Sequence, residues 1–204
     1  GIHDDLKLGD IAIASQIDSY LESAKAVPMQ NYEENLFEFK LSGEAFRGSK
    51  DLIKRIGNFE FAQPESFKRW RAICKGNFDQ LISADRQKDF VQSNLIRENP
   101  RLEIVHVASG PIVGAAQAFI QWLQNKDRAY KALEMESGGV MAAIYGQINP
   151  ARALVIRGIS DYGDQRKKTF DNIQNGNFRK YAMLNATNFL FTMLDTQILP
   201  ISET

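Results

Sequence analysis

Residues 130–164 read YKALEMESGGVMAAIYGQINPARALVIRGISDYGD, and the fold is decided in this stretch. Tyr130 to Met135 is a strand candidate, and the small residues Ser137, Gly138 and Gly139 turn it into a helix from about Val140 to Gln147. Ala153 to Ile159 follows, apolar except for Arg157, the pattern of a strand covered on both faces. It runs out into Ser160, Asp161, Tyr162, Gly163 and Asp164, a small, acid-bearing turn.

The same rhythm extends to either side. Upstream, Leu102 to Val107 is a β-rich apolar run that ends in Ala108, Ser109, Gly110 and Pro111. A helix from about Ala115 to Asn125 follows it, with Phe119, Ile120, Trp122 and Leu123 on its buried side. Downstream, Phe178 to about Thr196 repeats apolar residues at helical spacing, a stripe facing a core. Strands alternating with helices predict an α/β fold, a three-layer sandwich with a central mixed β-sheet flanked by helices.

The first hundred residues are less regular. Gly1 to Asp10 is a polar loop, and Ile11 to Ala14 reads as a short buried strand. A buried strand so near the start predicts that an upstream part of the fold lies outside this sequence. Asn35 to Leu41 alternates with period two, as a half-buried strand does. Glu65 to Lys75 and Asp89 to Glu98 read as amphipathic helices. The basic cluster Lys68, Arg69, Arg71 and Lys75 beside Trp70 is better read as a solvated helix face than as a nucleic-acid patch.

Composition bounds the possibilities. A chain of 204 residues with 44% hydrophobic and 25% charged residues suits one domain over 1–204. Basic and acidic residues balance at 25 each, so no net field draws the chain to nucleic acid or to a membrane. No apolar run approaches the roughly 20 residues that span a bilayer. The single cysteine, Cys74, excludes an intramolecular disulfide and fits a reducing, cytoplasmic setting. His3 and His106 lie far from it and from each other, a spacing that gives no metal site.

In α/β folds chemistry collects where strands end and helices begin. Three such ends stand out: Ser109-Gly110-Pro111, then Glu134 to Gly139, then Ser160-Asp161. Together they predict one shared pocket.

The segments ALEMESGGVMAA (Ala132 to Ala143) and VIRGISDYGD (Val155 to Asp164) resemble the paired signature of the nucleoside phosphorylase and methylthioadenosine/adenosylhomocysteine nucleosidase superfamily. LKLGDIAIAS (Leu6 to Ser15) and VASGPIV (Val107 to Val113) resemble two further stretches of that family, in the same order. Within it the chain looks most like the nucleosidase-type modules of larger bacterial defence and signalling proteins. The resemblance implies that 25–100 is the variable segment of the domain. It also implies cleavage of the N-glycosidic bond of a purine nucleoside or nucleotide. It makes Asp161 the catalytic leaving-group acid, and Met135 and Glu136 the ribose-binding pair. Ser109, Gly110, Val113 and Ser160 fall to base binding, and no cofactor or metal is implied.

Residue chemistry is compatible with these roles. A carboxylate at Glu136 can accept both ribose hydroxyls, and the Met135 thioether offers an adaptable apolar surface to the sugar. Strict alternation would place these neighbours on opposite faces, which predicts that the strand ends or twists at Met135. Protonating the departing base lowers the barrier to cleavage, and desolvation at the end of an apolar strand would help Asp161 hold that proton. The bland alternative is an Asp that caps the following turn. Arg157, within a strand read as buried, needs a partner, and Glu134 is the candidate.

Pro111 stands where many family members have a polar residue. Nothing matches the family's phosphate-site glycines or water-activating acid. Hydrolysis, phosphorolysis with phosphate as co-substrate, and a nucleotide-sensing module without turnover therefore all stay open. Self-association into a homo-oligomer, within a larger multidomain protein, is also implied by the resemblance.

Overall fold

The computed structural model describes residues 1–22, 24–28, 37–40, 43–172 and 176–200. In chain order the elements are β1 (Ile11–Ser19), β2 (Lys25–Pro28), β3 (Phe37–Lys40), β4 (Glu44–Arg47), α1 (Lys50–Gly57), α2 (Phe59–Ala62), α3 (Pro64–Leu81) and α4 (Ala84–Gln92). They continue as β5 (Leu102–Ser109), α5 (Gln117–Lys126), β6 (Tyr130–Glu134), α6 (Ser137–Tyr145), β7 (Ile156–Gly158), α7 (Lys167–Asn172) and α8 (Asn177–Asp195).

The main sheet runs β4-β1-β5-β6, with β7 also paired to β1. β5 is parallel to both β1 and β6, whereas β4 and β7 are antiparallel to β1, so the sheet is mixed. β7 meets Ile11 to Ile13 and β4 meets Gln16 to Ser19, which places the two short strands end to end along one edge of β1. The fold is the predicted α/β arrangement, a central mixed sheet flanked by helices. No described helix is long and apolar enough to cross a membrane.

β1 extends five residues beyond the predicted Ile11 to Ala14 because it contains a bulge. Ala14 pairs with Val105 and Gln16 with His106, leaving Ser15 as the extra residue. Before the bulge Ala12 and Ala14 face the core that holds Val105 and Val107; after it Ile17 takes that place. Ile11 and Ile13 point the other way, into a cluster with Trp70, Phe189 and Met193 from α3 and α8. Trp70 and Phe189 meet edge to face at 5.4 Å between ring centres.

Other expectations change in the structure. The second predicted helix starts earlier and stops at Gln92: Asn94 adopts φ 56°, and the backbone N–H of Leu95 and of Ile96 both turn back to Phe90 O. β3 covers Phe37 to Lys40 of the predicted Asn35 to Leu41; Asn35, Leu36 and Leu41 lie outside the described residues. It pairs with β2 alone and is exposed throughout, because a two-stranded ribbon has no covering layer to bury one face. β7 is shorter than Ala153 to Ile159 and is not covered on both faces, since one face of it opens into the cavity described below. The basic face of α3 is solvated and self-paired, through Lys68 with Glu65 and Lys75 with Asp79.

Candidate active site

Where β6 and β7 end, the chain leaves a cavity of about 640 Å³. Val113, Met135, Glu136, Arg157, Ser160 and Asp161 all line it. A depression of about 600 Å³ near Asp79 and Ile82, between α3 and α4, gathers no comparable set of charges.

Asp161 follows β7 and is fixed from both of its carboxylate oxygens. Oδ1 accepts the backbone N–H of Gly163 at 2.9 Å, and Oδ2 accepts the Ser160 hydroxyl at 3.1 Å. Gly163 closes this turn at φ 66°, a left-handed conformation that favours glycine. Lys167 Nζ stands 3.7 Å from Oδ2. Asp161 is thus surrounded by two donors and an ammonium, because the turn after β7 brings Lys167, the first residue of α7, back beside it. β7 itself is held close to α8: a Cβ at Gly158 would lie 2.1 Å from the Ala182 carbonyl oxygen.

β6 ends at Glu134, so Met135 and Glu136 leave the sheet instead of alternating across it. Glu136 takes helical φ and ψ at the cap of α6, and both residues reach the cavity. The helix begins at Ser137, earlier than predicted, because Glu134 ties down its first turn. Its carboxylate accepts the N–H of Glu136 at 3.0 Å, the N–H of Ser137 at 2.9 Å and the Ser137 hydroxyl at 2.5 Å. Burial alone would raise the Glu134 carboxyl. Hydrogen bonds from Ser109, Ser137 and the two backbone N–H groups outweigh burial and hold it below the usual carboxylate range.

Arg157 is half-exposed and not buried in its strand, so its side chain opens into the cavity. It lies 3.8 Å from Glu134 but only 3.3 Å from Glu136 Oε2. The expected partner is therefore the more distant of two, and Arg157 links the buried carboxylate to the exposed one.

Val113 and Ser160 line the cavity, whereas Ser109 and Gly110 are not among its lining residues. Ser109 is buried, and its Oγ accepts the Gly138 N–H at 2.8 Å, joining β5 to the start of α6. Sequence reading missed Lys167. It lies six residues past Asp161 in a polar run, and only the fold-back of α7 distinguishes it from a solvated lysine.

The sequence matches no family model and no curated protein. Its fold recurs in solved structures. The 5'-methylthioadenosine/S-adenosylhomocysteine nucleosidase of Colwellia psychrerythraea 34H, in complex with adenine, aligns with a TM-score of 0.55 at 18% identity over 96% of this chain and 62% of that one. The futalosine hydrolase of Helicobacter pylori strain 26695 aligns with a TM-score of 0.51 at 16% identity, over 95% of this chain and 63% of that one. The Neisseria meningitidis 5'-methylthioadenosine/S-adenosylhomocysteine nucleosidase, in complex with methylthio-immucillin-A, gives 0.50 at 15%, over 95% and 66%. The chain spans less than two thirds of each of these structures, and over that span it has the nucleosidase fold.

Proposed function

We propose that this chain cleaves the N-glycosidic bond of a purine nucleoside or nucleotide by hydrolysis. One observation carries the reading: Asp161, Met135 and Glu136, from two different strand ends, line a single cavity in a nucleosidase fold. At about 640 Å³ the cavity has the volume of a small-molecule site.

Cleavage builds positive charge on the sugar and negative charge on the departing base. Asp161 relays a proton from solvent to the base nitrogen N7, and the Ser160 hydroxyl, the Gly163 N–H and Lys167 hold the carboxylate that results. Glu136 accepts hydrogen bonds from the ribose hydroxyls while Arg157 keeps its carboxylate oriented. Met135 packs on the sugar, and Val113 and Ser160 flank the base. Activation of the nucleophile is assigned to no described residue.

Phosphorolysis is the second reading, favoured by Arg157 and Lys167 in the same cavity, where they could hold phosphate. Incubating the purified protein with a panel of purine nucleosides and nucleotides, with and without inorganic phosphate, separates the readings. Free base with free ribose or ribose phosphate and no need for phosphate supports hydrolysis, and formation of a ribose 1-phosphate ester supports phosphorolysis. Saturable binding without base release would overturn both in favour of a nucleotide-sensing module.

A further inference from the structure

We propose that Asp18, His106 and Asp127 form a binding site for a divalent transition-metal ion of the zinc class, apart from the cavity above. The three come from β1, β5 and the turn between α5 and β6, and one donor atom from each lies within 4.8 Å of the others. His106 sits three residues, about 10 Å, down β5 from Ser109, on the side away from the strand ends.

Two observations point to a ligand and not to a chance grouping. His106 Nδ1 is itself shielded from solvent, on a ring that is 34% exposed, and has no hydrogen-bond partner among the described residues. It is 3.7 Å from Asp127 Oδ2, too long for a hydrogen bond. Two ligands bound at about 2.0–2.2 Å in a tetrahedral site are roughly 3.3–3.6 Å apart, so this pair needs little closure. Asp18 is 7% exposed and forms no ion pair with any described lysine or arginine. Its carboxylate accepts Gln16 Nε2 at 2.9 and 3.2 Å. This donor is a neutral amide, which orients the carboxylate without pairing it with a cation.

The arrangement has the parts of a metal site. It offers one imidazole and two carboxylates, a donor set suited to zinc and its neighbours. Supporting donors fix one carboxylate through Gln16, and the other through the Ala129 N–H on Asp127 Oδ1 at 2.8 Å. A bound ion would tie the turn before β6 to the two central strands.

The test titrates zinc into EDTA-treated protein by calorimetry, and cobalt by visible absorbance, with circular dichroism confirming that each variant folds. We expect one ion per chain and a melting temperature raised by about 5–10 °C at a hundredfold excess over Kd. Asp127→Asn and His106→Gln should each lower the affinity at least tenfold. His3→Gln, which alters the exposed His3–Asp5 pair, should leave it unchanged. Asp127 is partly exposed, so its variant remains informative if His106→Gln does not fold. No saturable binding, or binding lost in His3→Gln and kept in Asp127→Asn, overturns the site. Stability that follows histidine protonation without responding to zinc would also overturn it, by marking the triad as an ionic cluster.

Discussion

Asp161 accepts both of its side-chain hydrogen bonds as a carboxylate, and an amide of the same shape can keep only part of that pattern. We predict that Asp161→Asn lowers turnover on the order of a hundredfold or more with little change in KM, read from base release; near-normal turnover removes it from the mechanism. Glu134 makes a different kind of prediction. Its folded carboxyl lies below the usual range, so its stabilisation is present above the unfolded pKa and is lost as pH falls through the folded one. Glu134→Gln should therefore flatten the acid side of the stability profile and cost about 1–3 kcal/mol at pH 7, measured by urea unfolding. The positions of Met135, Glu136 and Asp161 were legible because each follows directly on a readable strand end. The burial of Ser109 was not, because its partner is the N–H of Gly138, on the far side of a helix and a strand.

Elements read well where the hydrophobic period was unbroken, as in α8 and β5, and poorly where geometry broke it. β7 was read as longer because its apolar letters continue, but pairing with β1 stops where β4 takes over the edge. Asn94 ended α4 through a backbone angle to which periodicity is blind. The contact of β7 with α8 is the element-scale point of weakness. Gly158→Ala would set a methyl against backbone, which cannot rotate away. A loss of about 1–3 kcal/mol, with impaired base release because Asp161 lies three residues beyond Gly158 in the turn that follows this strand, is the expected outcome. Thermal melting and the nucleoside assay check the two parts separately.

At the scale of the molecule, α3 and α8 together enclose Cys74, whose thiol is pushed up to about 12 by burial. A disulfide reagent at pH 8 should label it only as fast as the protein opens, with full labelling in denaturant; fast native labelling would show that the packing of α3 on α8 is loose. The gathering of Asp18, His106 and Asp127 also belongs to this scale, and no spacing in the sequence announces it. The bulge at Ser15 has a consequence of its own. Without it, strict alternation from Ala14 would turn Ile17 outward and Asp18 into the core. With Ser15 deleted, Ala14, Gln16, Ile17 and Asp18 would alternate correctly in the register they already hold against β5. We therefore expect a one-residue deletion in the most central strand to be tolerated, losing only the Ser15 hydroxyl bond to Val105 O and its carbonyl bond to Gly48. Deleting Ile13 instead should abolish soluble expression: this strand counts its residues modulo two, and Ser15 is the remainder.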